Sequence, residues 1–186
     1  MGTSVSKLKR TVATLFAIVM YSLPAAAESD RAAALLDELQ MADPSRAGRI
    51  VEEIRQEWSK SGSASMDLLL KRGRDAMEAG DLQAAAEHLT ALTDHAPDFA
   101  EGWASRALVF YRMEEFGMAM SDLEHALALN PHHFGAIQGV GAIFEQIDRP
   151  EPAYQAYSRA LALNPHDTDV QAAMERLKPG VIGTEI

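Results

Sequence analysis

Cysteine is absent from all 186 residues, which excludes a disulfide framework, a thiolate nucleophile and any thiolate metal site. Stability must therefore come from packing alone, in a reducing or an oxidising compartment alike. Positive charge is also in short supply, with 17 Lys and Arg against 27 Asp and Glu and a net charge of −10. A surface that acidic repels phosphate backbones and anionic headgroups, so neither nucleic acid nor peripheral membrane binding is expected. Catalytic signatures are missing too. There is no nucleophile-elbow serine, no His-Glu-x-x-His and no phosphate-cradling glycine loop. Gly135, Gly139 and Gly141 follow no strand pattern and suit close helix packing better than a nucleotide. The six histidines give no third ligand to a pair such as His88 and His95, so loop or helix-capping roles are expected for His132, His133 and His166. No catalytic residue, metal or cofactor is assigned, and the chain is not expected to be an enzyme.

Long apolar runs are equally rare, and the exception is at the start. Lys7, Lys9 and Arg10 precede an uncharged stretch from Thr11 to Leu23, followed by Pro24 and Ala25-Ala26-Ala27. This is the order of a secretory leader, with small residues where signal peptidase reads them. Residues 1–27 are expected to be removed after Ala27, and the protein to be exported, to a bacterial periplasm. The rival reading is an uncleaved anchor, although the apolar core is short of the roughly 20 residues a span needs. No cysteine follows it, so a lipoprotein anchor is excluded. Cleavage would remove three basic residues and no acidic one, leaving 159 residues at a charge of −13.

What the chain has in place of motifs is a period. Pro97, Pro131 and Pro165 stand 34 residues apart, as do Ala85, Ala119 and Ala153. Gly73, Ala107 and Gly141 keep the same step, and so do Leu69, Trp103 and Ile137. The phrase Ala-Leu-Ala-Leu-Asn-Pro-His recurs at 126–132 and 160–166. Within each period apolar residues recur at three- and four-residue steps, which predicts pairs of antiparallel helices. Small residues at the Gly73 and Ala85 positions allow close helix approach. Large ones at the Trp103, Phe110 and Leu123 positions fill the space to the next pair. Asp81 is the expected N-cap of a second helix, and Pro150 suits a first helical turn.

This pattern resembles the tetratricopeptide-repeat (TPR) family, over 66–99, 100–133 and 134–167. The turn glycine is lacking in two copies, where Glu114 and Asp148 replace Gly80. The resemblance implies an all-α fold, a right-handed superhelix of antiparallel helix pairs. Ahead of it, residues 28–65 predict a helical hairpin and linker, with helices near 30–41 and 44–60. That hairpin is expected to be an N-terminal cap over the exposed end of the array, or a degenerate repeat. A helix over 168–178 is expected to cap the other end. Pro179-Gly180 is expected to end that helix and open a tail over 179–186, of which Val181 to Ile186 either folds back on the array or is a frayed end. The signal peptide, a hairpin ending in Trp58 and three repeats also resemble small secreted bacterial TPR proteins of unassigned activity.

The resemblance implies a concave groove, lined by the first helix of each repeat, that holds a partner peptide or helix. The groove positions carry Lys71, Arg74 and Met77 in the first repeat, and Leu108, Tyr111 and Arg112 in the second. In the third they carry Gln138 and Glu145, among Gly135, Gly139 and Ala142. Lys71, Arg74 and Arg112 are read as a cationic end, with Met77, Leu108 and Tyr111 as apolar contacts. The alternative for the cations is pairing with Glu78 and Glu101. The family's carboxylate clamp is not preserved, because Leu70, Arg74, Ser105, Gly135 and Gly139 occupy its five positions. The expected role is a protein-interaction scaffold. The alternative is a non-catalytic accessory subunit that docks an envelope enzyme or transport complex.

Overall fold

The computed structural model describes residues 30–182, so the leader at 1–27 and the end of the tail at 183–186 lie outside the described residues. Among the described residues there are nine helices and no strand. They are α1 (Asp30–Gln40), α2 (Pro44–Trp58), α3 (Ala64–Glu78), α4 (Leu82–His95), α5 (Ala100–Arg112), α6 (Phe116–Leu129), α7 (Phe134–Gln146), α8 (Pro150–Leu163) and α9 (Thr168–Ile182). The second helices of the three repeats start at Leu82, Phe116 and Pro150, in step with the 34-residue period.

The small residues act as expected. A Cβ on Gly73 would lie 2.5 Å from Leu89 Cγ, and one on Gly141 would lie 2.7 Å from the Tyr157 ring. Each glycine thus lets its helix settle on a large side chain of the partner helix, a fit that a methyl group would overfill. Ala85, Ala119 and Ala153 are fully buried on the facing helices. The turns between paired helices need a left-handed residue. Gly80 (φ 80°), Glu114 (φ 62°) and Asp148 (φ 56°) supply it, so the replaced glycines keep the conformation without its natural residue. Asp81 caps α4 by accepting from Ala84 N at 3.0 Å, and Pro150 opens α8.

Neighbouring pairs share their cores. Val109 of α5 joins the α3–α4 core, Ala136 and Ile143 of α7 join the α5–α6 core, and Val170 and Ala173 of α9 join that of α7–α8. A buried ion pair adds to this. The Arg106 guanidinium donates to both oxygens of Asp122, at 2.7 and 2.8 Å, and to Thr93 Oγ1 at 2.8 Å. It therefore ties α4, α5 and α6 together, and its face lies 4.8 Å from the Trp103 ring centre. Trp103 itself is only partly buried, stacked on His125 at 4.3 Å and donating to Pro97 O at 2.9 Å.

Two expectations fail. The helix expected to stop at Lys178 continues through Pro179 and Gly180 to Ile182, so those two residues make no return turn. A proline removes one intrahelical bond and crowds the preceding turn, but near a helix end little of the ladder remains to be broken. The second failure is larger. The N-terminal hairpin does not cap the first repeat. Its core, Leu35, Leu36, Leu39, Ala47, Ile50 and Ile54, is completed by Phe134 and by Leu163, both from the third repeat. No residue of α3 or α4 joins it. Gln40 Nε2 donates to Leu163 O at 2.8 Å, and Trp58 packs on His133 and Phe134. The hairpin thus crosses the inner side of the array, and Leu68 of the first repeat stays 46% exposed.

A candidate binding groove beneath the N-terminal hairpin

The first helices of the repeats, α3, α5 and α7, contact one another in sequence and form the inner face. Between that face and α2 runs a groove of about 780 Å³. Its floor comes from the array, with Met77, Ala104, Leu108, Tyr111, Gln138 and Ala142 among its residues. Its opposite wall comes from α2, where Glu52, Arg55 and Gln56 lie at helical spacing on one side, and from the C-cap Ser59. The groove therefore has one floor of mixed apolar character and one polar wall. Leu108 is 44% exposed, an apolar side chain held open inside a concave surface.

One end of the groove is built around Glu101. Its carboxylate is bonded by the Arg74 guanidinium from α3 and by His133 Nε2 from the start of α7, the latter at 2.9 Å. Burial pushes the Glu101 carboxyl upward. The hydrogen bond from His133 and the charge of Arg74 outweigh that push, so the group stays below the ordinary carboxylate range. His133 is also the N-cap of α7, where its Nδ1 accepts from Ala136 N at 3.1 Å. A nitrogen that accepts carries no proton, so the proton sits on Nε2 and is donated to Glu101. Two hydrogen bonds therefore fix the ring plane of His133, and Trp58 stacks on it with centroids 4.7 Å apart and planes 24° apart.

Of the residues expected at the groove, Arg74, Met77, Leu108, Tyr111 and Gln138 line it. Lys71, Arg112 and Glu145 stand outside its lining. Lys71 pairs with Asp75 at 2.5 Å, and Arg112 donates to Met77 O at 3.2 Å. Glu145 accepts from the Tyr157 hydroxyl at 3.0 Å and pairs with Arg176 of α9 at 2.7 Å. Burial and that carboxylate push the Tyr157 phenol well above its usual range, so it stays a neutral donor. The expected cationic end is corrected accordingly. Arg74 is engaged by Glu101, and the other two cations turn to neighbours on the array, because carboxylates and a carbonyl lie within their reach. Gly139 serves the close helix packing expected of it. A Cβ there would meet Leu123 at 3.1 Å, so the position serves packing between α6 and α7.

Sequence reasoning missed Trp58, Phe134 and His133 as groove residues, along with the whole α2 wall, whereas the alternative it gave for the cations, pairing with Glu101, holds for Arg74. A histidine just ahead of an apolar helix was a visible N-cap signal. Nothing local signalled that Glu101 would be buried between two partners 27 and 32 residues away.

Residues 8–178 match the tetratricopeptide repeat-like domain family. The chain belongs to that family. A TPR repeat-containing protein of Rhizobium etli is 36% identical over 141 residues, which span 76% of this chain and 69% of that protein. The SGT1 homolog of Bos taurus is 26% identical over 122 residues, 66% of this chain, and the chain spans only 36% of its length. Among solved structures, the first TPR of Spaghetti (RPAP3), bound to the HSP90 peptide SRMEEVD, superposes with a TM-score of 0.60. It is 24% identical and covers 62% of this chain and 91% of its own. That likeness carries the TPR fold. The positions that a TPR carboxylate clamp would use are otherwise occupied here. Leu70 is buried in the first core, Ser105 is buried, and Arg74 is paired.

Proposed function

We propose that this TPR protein is a binding scaffold that holds a segment of a partner protein between its concave face and α2, with no chemistry of its own. The observation that carries this reading is the groove itself, with Leu108 exposed beside Tyr111 on a floor faced by a polar wall. An amphipathic segment matches such a site, its apolar side toward Leu108 and Met77 and its polar side toward Glu52, Arg55 and Gln56. The groove's charges, Arg55 and Arg74 against Glu52, Glu78 and Glu101, leave no cationic surplus to favour an acidic C-terminus. Peptide binding by structural neighbours such as the HSP90-peptide-bound TPR supports the class of function and not its partner. We place the protein in the periplasm, after cleavage following Ala27, on the order of its N-terminal residues.

Capture of partners from the native cell envelope, by tagged wild type and by Leu108→Glu, tests the groove. The variant is expected to lose a defined partner while keeping its helical circular dichroism. Undiminished capture would move the binding surface elsewhere. N-terminal sequencing of the periplasmic protein is expected to begin at Glu28, and an intact Met1 in the membrane pellet would overturn the location.

A further inference from the structure

We infer that the N-terminal hairpin is a hinged lid on this groove, and that Trp58 acts as an internal stand-in for an aromatic side chain of the partner segment. The inference rests on the groove being a binding site, and it names how that site is closed and what opens it. The lid's attachments are few and differ from those inside the array. Its core is closed by Phe134 and Leu163, its far end by the bond from Gln40 to Leu163 O, and its near end by Trp58 and a bond from Arg74 to Ser59 Oγ at 3.0 Å. Three residues after Trp58, Ser61 is tied to Asp67 of α3, by N at 2.8 Å and by Oγ at 2.6 Å, so the chain is anchored to the array from Ser61 onward and only Ser59 and Lys60 are left to turn. A swivel between Trp58 and Ser61 leaves every core of the array intact.

The site under Trp58 is a ring platform that exists without it. His133 is oriented by Ala136 N and Glu101, and Phe134 is anchored at the first turn of α7, 3% exposed. The Trp58 indole meets these two rings at centroid distances of 4.7 and 5.0 Å. Its own Nε1 is buried and has no hydrogen-bond partner. The indole is therefore held by its faces and not by its polar atom, and another planar ring fits the same place. An unmet donor weakens the closed form relative to a ligand ring that has none. A partner segment carrying an aromatic residue would displace Trp58, tilt the hairpin outward to enter, and lie between the floor and the α2 wall. Closure reduces the partner's apparent affinity by the fraction of molecules that are open.

Hydrogen–deuterium exchange on the mature protein, as wild type, Trp58→Ala and Gln40→Ala, tests the lid without any partner. Both variants are expected to speed exchange in α1, α2 and the first turn of α7, by about tenfold for Trp58→Ala, while α3 to α6 keep their rates. Should Trp58→Ala fail to fold, Gln40→Ala decides alone, since Gln40 is exposed. Unchanged exchange in the hairpin, or a rise spread evenly over all helices, would overturn the lid. N-acetyltryptophanamide tests the ring site. It is expected to bind Trp58→Ala about tenfold more tightly than wild type, and equal binding would refute the stand-in. Neither measurement depends on Leu108, so loss of groove binding and loss of the lid give different results.

Discussion

The repeat array and the N-terminal hairpin are both built of antiparallel helices, yet they are held in different ways. Inside the array each pair lends residues to the next core, and Arg106 joins three helices by one buried ion pair. The core contacts recur at the same step, with Ile143 standing to the α5–α6 core as Val109 does to that of α3–α4, so each pair is locked to the next. The hairpin closes its core on itself, with two side chains of the third repeat completing it. Its link to the rest is one ring stack, a few hydrogen bonds and the short stretch from Ser59 to Lys60. The same kind of secondary structure therefore yields a rigid frame in one region and a removable part in the other.

The most severe test of this contrast is Asp122→Ala. The change strands the Arg106 guanidinium, which is 14% exposed, without its carboxylate in the middle of the array. The expected loss is about 3–5 kcal/mol, read as a fall in the main melting transition. The cost is expected to fall on all three repeats together. A shift of less than a degree or two would mean that solvent reaches Arg106 and that the array is looser than described.

Ile54→Ala is the matching cut in the hairpin. Ile54 is fully buried, and its loss is expected to cost about 3 kcal/mol. Here the damage is expected to stay local. Exchange in α1 and α2 should rise by about two orders of magnitude, with the melting of α3 to α8 nearly unchanged. If the array melts earlier by the full amount, hairpin and array fold as one unit, and the contrast collapses.

Acid probes the joint between the two regions. Glu101 has a folded pKa below its ordinary value of 4.5, so its contribution is complete above that value. It is lost as pH falls through the folded pKa, when the carboxylate that His133 and Arg74 grip becomes neutral. The wild type is expected to lose stability more steeply below pH 4.5 than Glu101→Gln, which has no such proton to take up. Parallel curves for the two proteins, followed by melting at a series of pH values, would show that Glu101 does not link folding to acid.

The array was legible in the sequence for a physical reason. Gly73 and Gly141 must admit Leu89 and Tyr157, and Ala107 stands at the same step between them, so the demand for a small residue is written at a fixed interval. Asp81 likewise caps the helix that begins one residue later, a purely local relation. The inner-face positions followed from family register, which is why Arg74, Met77, Leu108, Tyr111 and Gln138 fall in the groove. The direction of long charged side chains did not follow. Lys71 and Arg112 can swing to whichever acceptor is near, and register says nothing about that choice. The seat of the hairpin was illegible for a stronger reason. Trp58 meets His133 across 75 residues and only once, so no periodicity or cap records it.

The smallest expected effect concerns the turns of the array, where sequence and family pattern part. Glu114 and Asp148 hold left-handed conformations that Gly80 adopts freely in the first repeat. A side chain in that region costs about 1–2 kcal/mol. Glycine returns part of the gain, because it leaves the unfolded chain more freedom, worth roughly 0.4–1 kcal/mol. Glu114→Gly is therefore expected to stabilise the protein by about 0.5–1 kcal/mol in denaturant titration. Asp148→Gly should gain less, since aspartate tolerates the left-handed region better than glutamate. Both side chains are exposed, and the turn bonds, Glu114 N to Tyr111 O and Asp148 N to Glu145 O, belong to the backbone and survive the change. The gain belongs to the frame, so hairpin exchange is expected to stay as it was. A loss of stability in Glu114→Gly would mean that the side chain makes contacts outweighing its strain, and that its departure from glycine is a gain of packing.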